Sequence, residues 1–536
     1  MPVNRKWIQS ICVALVAALL LTGCTGVDLN KFLRPEVVPF ADMEYVRPDQ
    51  QEITNLAAVV AADLEAGASV EALMENVFSF MDAYDAFCTN YALANIYYCK
   101  DLTDPQWEAE YNLCLEMASE VDALLDRMLY DLADSPLREE LESDAYFGQN
   151  FFDNYEGDSL WDEGFTALME EESRLQSEYY ALSAQAQEMD MGSELFYATC
   201  GAKMAELFAD LVALRQEIAQ YVGYDDYLSF AYDFYYFRDY TPQQVQLLLE
   251  DIRQQLVPLY RDTAESDIWL LASQYSTQEQ TFAYTKNAAA AMGGIPAEAF
   301  ALLEKAKLYD ISYSQNKYPA SFETYLYTYY EPYVFLNPTM RIMDRLTFTH
   351  EFGHFCNDYA SYGTVAGIDV AEVFSQGMEY LSLCYGEDST AMRKLKMLDS
   401  LCVYVEQAAY ASFEQQVYAL DAEELTAEKI RQIYEQVGTS FGFDVWQWDS
   451  RSFVNITHFY TNPMYVISYV VSNDAALQLY EMEREETGSG LKVFEDNLTT
   501  QEPYFLAFVE SAGLKSPFTE GRVAQVRLLL EDIIKH

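Results

Sequence analysis

The chain has 536 residues, 51% of them hydrophobic, and 86 acidic against 32 basic side chains give a formal charge of −54. That length exceeds what one hydrophobic core usually fills, so two lobes are expected, and the apolar content excludes a disordered protein. A charge of this sign is repelled by phosphate backbones and by anionic lipid, which excludes nucleic acid and a lipid-docking surface.

Residues 1–24 read as a signal peptide: Arg5 and Lys6 precede an apolar run, Ile11 to Leu21, too short for a membrane span. The run ends in Leu21-Thr22-Gly23-Cys24, which resembles a bacterial lipobox. That resemblance implies an exported protein whose Cys24 is acylated and anchored to the outer face of the cell membrane, touching the bilayer through its lipid alone. Residues 25–40 form a tether. The seven later cysteines are odd in number and contain no CxxC pair, so neither a disulfide framework nor a cysteine zinc site is indicated.

Between 41 and 195 the pattern is helical. Ser69 to Asn95 and Pro105 to Leu132 carry apolar residues at three- and four-residue spacing and are nearly free of Gly and Pro. Thr241-Pro242 is a helix start, a capping hydroxyl followed by a proline in the first turn. Met292-Gly293-Gly294-Ile295-Pro296 marks a break. Tyr325 to Asn337, aromatic and β-branched, interrupts the helical pattern and reads as one or two strands. Such a strand can serve as a plain core element or pair with an extended peptide.

Next comes His350-Glu351-Phe352-Gly353-His354. Four residues apart on a helix, His350 and His354 can direct two imidazoles at one metal ion. Glu351, about 100° round the helix, can reach a metal-activated water without becoming a ligand. The chain has only four histidines, so a chance match on an ordinary amphipathic helix is a weak alternative. A catalytic zinc needs a third protein ligand and an open position. Glu372 and Glu379, two turns apart on the next helix, are the candidates: one to ligate, the other to receive the free N–H of a ligating histidine.

HEFGH followed by Glu-x-x-Ser-Gln-x-x-Glu resembles the thimet oligopeptidase and oligoendopeptidase F family of zinc peptidases. The resemblance spans nearly the whole mature chain, through Met43-Glu44-Tyr45-Val46-Arg47-Pro48-Asp49, Leu214 to Ala219, and Pro332 to Asn337. It implies a mainly α, two-lobed metallopeptidase with a deep substrate channel and a small β-sheet near the HExxH helix. It also implies a catalytic region over 196–536 after an N-terminal helical region over 41–195. By the same resemblance one Zn(2+) per chain is held by His350, His354 and Glu372, with Glu379 supporting a histidine. Tyr333, Val334 and Phe335 lie along bound peptide. The stretch between His354 and Glu372 is shorter than usual in the family, and Phe355-Cys356-Asn357 replaces a small residue and a further histidine, changes that spare every ligand.

His458 with the tyrosines after it resembles the family's C-terminal catalytic segment. Imidazole and phenol donors there would stabilise the oxyanion that grows on the attacked carbonyl. Tyr465 is the first choice, Tyr469 the second and Tyr460 the third. The function expected is zinc-dependent hydrolysis of internal bonds in short unstructured peptides by a monomer. The alternatives are a peptidyl-dipeptidase or carboxypeptidase of angiotensin-converting-enzyme type, and a lipid-anchored peptide-binding protein without catalysis.

Overall fold

The computed structural model describes residues 37–143, 145–149, 151–155, 162–186, 189, 192–364, 366–386, 390–446 and 448–535. Residues 1–24, read from sequence as a signal peptide ending at Cys24, lie outside them. The fold is mainly helical, with one small sheet, and divides into two compact units, each discontinuous in sequence. No described helix is long and apolar enough to cross a membrane.

The first unit comprises Met1–Thr166, Glu298–Thr339 and Phe355–Val365. It opens with three mutually packed helices, Gln50–Ala66, Val70–Lys100 and Pro105–Ala133. Each starts where its sequence supplies a cap. The Asp49 carboxylate accepts from the Gln51 and Glu52 N–H groups, Ser69 from Ala72, and Asp104 from Gln106 and Trp107, with Pro105 in the first turn. Leu73, Val77, Phe80, Met81, Cys114, Val121 and Leu125 fill the space between them.

The sheet has the order β1-β3-β2, from β1 (Tyr309–Asp310), β2 (Ser321–Leu326) and β3 (Glu331–Leu336). β2 runs antiparallel to β3, with Phe322 opposite Phe335, and β1 runs parallel to it. The reversal between β2 and β3 is the turn Tyr327–Tyr329, closed by Tyr330 at φ 56°. Every residue of β3 is buried, so the aromatic run forms the middle of the sheet. The C-terminal turns of the HExxH helix belong to this unit. Asp358 hydrogen-bonds Glu323 of β2, and burial raises its carboxyl to about 7.

The second unit comprises Ala167–Ala297, Met340–His354 and Ala366–His536. At its centre lies the helix Ile368–Tyr385, buried along all but its ends, packed lengthwise on Ile467–Glu485. A helix buried all round must satisfy its polar side chains internally. The Gln376 amide donates to the Tyr469 carbonyl at 3.2 Å, and the Tyr380 hydroxyl donates to Asn473 Oδ1 at 2.9 Å. At the start of both helices, Arg238 pairs with Asp369 at 3.2 Å and donates to Ser468 Oγ at 2.9 Å. Tyr240 adds a 2.6 Å bond to the same carboxylate.

The HExxH helix, Asp344–Ser361, crosses Ile368–Tyr385 at Gly353. A Cβ there would lie 2.5 Å from the Phe374 carbonyl oxygen and 2.6 Å from Ser375 Cα. Only glycine lets the two backbones approach so closely, and this approach brings Glu372 to the histidines. Gly353→Ala is therefore expected to destabilise the fold by about 1–3 kcal/mol. Urea unfolding measures that cost.

Candidate metal centre and active site

His350, Glu351 and His354 project from the HExxH helix, and Glu372 and Glu379 from the buried helix beside it. The two histidines and Glu372 converge: their ligand atoms all lie within 4.8 Å of one another. Glu372 Oε2 is 3.4 Å from His350 Nε2 and 3.7 Å from His354 Nε2. Among the described residues this is the one group of three His, Cys, Asp or Glu side chains so arranged. Two imidazole nitrogens and one carboxylate oxygen, with no fourth protein donor in the group, fit a zinc ion that keeps an open position.

Two members of the trio, His350 and Glu372, are oriented by neighbours. Glu379 Oε1 lies 2.9 Å from His350 Nδ1, which fixes the tautomer that leaves Nε2 free toward Glu372. Glu372 is held at both oxygens: Tyr465 donates to Oε1 at 2.7 Å and Ser375 Oγ to Oε2 at 2.8 Å. Burial would raise the Glu372 carboxyl, but His354, His350, Tyr465 and Ser375 hold it below the ordinary range. Burial would also lower the His350 imidazole. The Glu379 hydrogen bond and the nearby carboxylates reverse that and raise it to about 9. His354, with weaker compensation, falls to about 4 through burial.

Glu351 is buried, 6% exposed, and its charge acts on both His350 and the Tyr469 hydroxyl. The structure thus sets a carboxylate beside the donor trio without including it in the trio.

His458, Tyr465 and Tyr469 form a second cluster, ring centroids 5.2 to 5.8 Å apart. The Tyr469 hydroxyl lies 3.3 Å from His458 Nε2, and burial keeps that imidazole below its ordinary pKa. Tyr465 joins this cluster to the donor trio through Glu372. Tyr460 does not take part: its ring stacks on Tyr179 at 3.9 Å and its hydroxyl donates to the Met204 carbonyl. Tyr333, Val334 and Phe335 are wholly buried in β3, the central strand. Their backbone pairs with β2 along the strand, and at Val334 and Phe335 with the two-residue β1.

Several residues that build the site escape the sequence reading. Arg215, fully buried, pairs with Glu172 at 2.7 Å and donates to Tyr418 at 3.0 Å. It also donates to the Phe459 carbonyl at 2.9 Å and to that of Tyr460, clamping the short helix Thr457–Thr461 that carries His458. Glu414 accepts from the Met464 N–H at 2.8 Å, at a turn where Met464 adopts φ 66°. Lys396 reaches Glu379. Arg215 carries a visible signal, a lone cation in the apolar phase of its helix beside Leu211, Val212 and Ile218, whereas Lys396, beside Met392 and Leu395, is masked by Arg393 and Lys394 on the same helix. Burying a cation demands partners, but the sequence does not say which.

Arg215→Met should cost about 3–5 kcal/mol, because it strands the Glu172 carboxylate and frees two carbonyls. Urea unfolding would show it, and His458, unlike the metal ligands, should lose its fixed position.

Residues 40–159 match the Peptidase M3 N-terminal domain. Comparison with curated protein sequences finds no match. Among solved structures, one described as an oligoendopeptidase F superimposes with a TM-score of 0.80 at 20% identity, over 93% of this chain and 99% of that one. A second protein so described, from Bacillus anthracis, gives 0.79 at 20% identity, over 94% and 99%. PZ peptidase A, solved with an inhibitor, gives 0.79 at 19% identity, over 92% and 99%. The chain therefore has the oligoendopeptidase F fold over nearly its full length, with an M3 peptidase N-terminal domain at its start. The superpositions bear out the fold that the family resemblance implied, and the family match over residues 40–159 supports a peptidase.

Proposed function

We propose that the protein is a zinc-dependent oligoendopeptidase that hydrolyses internal bonds of short, unstructured peptides. The observation that carries this reading is the convergence of His350, His354 and Glu372 within 4.8 Å, with the Glu351 carboxylate alongside. A binding protein has no need of Glu351, and a structural zinc site would fill its fourth position.

His350, His354 and Glu372 would hold the zinc ion, which would supply the Lewis acidity for peptide hydrolysis near neutral pH. Glu351 accepts the proton of the attacking water and delivers it to the departing amine nitrogen. The oxyanion receives hydrogen bonds from His458 and Tyr469, which already share a contact of 3.3 Å. Tyr465, first choice for this role on sequence, instead spends its hydroxyl on Glu372 at 2.7 Å and orients the ligand. In the same reading the protein is exported, acts as a monomer, and is tethered by lipid on Cys24.

Glu351→Gln should bind zinc as the wild type does, yet cleave an internally quenched peptide about 10²–10⁴-fold more slowly. Mass spectrometry of the products should find internal cuts that persist when the peptide's C-terminus is amidated. Cuts confined to the last two residues, lost on amidation, would instead mark a peptidyl-dipeptidase. No cleavage despite bound zinc would leave a binding protein. Tyr469→Phe should lower kcat with zinc affinity intact, whereas Tyr465→Phe should weaken zinc binding first. For the anchor, mass spectrometry of protein from the membrane fraction should give an acylated Cys24 as the first residue; an unmodified terminus would remove the anchor from this account.

A further inference from the structure

Lys396 is a lysine with almost no access to water, its side chain 1% exposed. Its ammonium nitrogen lies 2.9 Å from Glu379 Oε2 and 2.9 Å from Asp399 Oδ2, with the Tyr380 ring face 4.6 Å away. The other Glu379 oxygen is the partner of His350 Nδ1 at 2.9 Å. Four groups thus run in line from the metal ligand outward: His350, Glu379, Lys396 and Asp399. Their charges alternate after the imidazole, and Asp399, 30% exposed, ends the row toward water.

Glu379 is only 5% exposed. A carboxylate that dry and held at one oxygen only is free to swing away from its partner. A displaced Glu379 would no longer accept from His350 Nδ1. The imidazole would then be free to carry its proton on Nε2, the atom that must stay bare to bind metal. Lys396 removes that outcome: two partners, one at each oxygen, leave the Glu379 carboxylate a single orientation. The buried lysine is otherwise hard to account for, because a leucine or methionine would fill the same volume without desolvating a charge.

We infer that Lys396 is a positioning residue for the metal, fixing Glu379 so that His350 presents Nε2, and that the His350–Glu379–Lys396–Asp399 row is a single unit. This rests on the zinc reading above but needs no peptidase activity to test. Lys396 touches neither substrate nor metal and acts through two intervening side chains.

The test is zinc affinity, measured on the purified full chain by competition with a chromophoric chelator, beside the melting temperature of the metal-free protein. Lys396→Met and Glu379→Gln should each weaken zinc binding about 10–100-fold. The double variant should be no weaker than the worse single, because both changes break one unit. Lys396→Gln, which keeps an amide donor for Glu379, should fall between wild type and Lys396→Met, and it serves if the methionine variant does not fold. A lysine that merely stabilises the core would lower the melting temperature of Lys396→Met while zinc affinity stays at the wild-type value, and that result overturns the inference. Additive losses in the double variant would also overturn it. A wild-type chain that binds no zinc would overturn the ligand set itself, and the role of Lys396 with it, a failure distinguishable because the single variants could then show no loss.

Discussion

Everything at the candidate site depends on holding three ionisable ligands together inside a helical core. Glu372 and the two imidazoles sit 3.4 and 3.7 Å apart, out of bulk water, where charge is expensive. The protein answers with supporting groups for two of them, Glu372 and His350. Tyr465 and Ser375 bind Glu372, Glu379 binds His350, and Lys396 binds Glu379. The backbone contribution is the missing side chain at Gly353, which lets the two helices close until the ligands meet. Strip away the hydrogen bonds and the buried charges repel or protonate; strip away the close approach and the ligands do not converge.

The same logic governs the second cluster. His458 lies on a helix of five residues, too short to be stable on its own propensity. Arg215 holds that helix by its carbonyls, Glu414 holds the following turn at Met464, and Tyr236 donates to the Pro463 carbonyl at 2.7 Å. Long-range bonds to backbone substitute for local helix strength, so a short, irregular segment can present an imidazole and two phenols beside the ligands. Burial of Arg215 and Arg238 is the cost of this arrangement, and each is matched by a buried acid, Glu172 and Asp369.

Much of this was legible in the chain. HEFGH and the paired glutamates named the donor trio and its supporting carboxylate, and periodicity and caps at Asp49, Ser69 and Asp104 marked the opening helices. The aromatic run was readable as strand, but its burial was not. Tyr333, Val334 and Phe335 read equally as core or as a peptide-binding edge, and the fold buries all three side chains within the sheet. The tyrosines were ambiguous for a similar reason: Tyr460, Tyr465 and Tyr469 are alike in sequence, and only their partners, Met204, Glu372 and His458, separate them.

The sequence by itself determined the chemistry available: which residues can bind metal, at what spacing along one helix, and in what kind of fold. Those properties are local, since helix geometry converts a spacing of four into a shared face without reference to the rest of the chain. Tertiary structure decided which glutamate faces the histidines, which tyrosine meets Glu372, and why a lysine and two arginines are buried. These are pairings across tens to hundreds of residues, as from Arg215 to Phe459 or Lys396 to Glu379. No local pattern encodes them, because a buried charge specifies only that a partner is required, and packing chooses the partner.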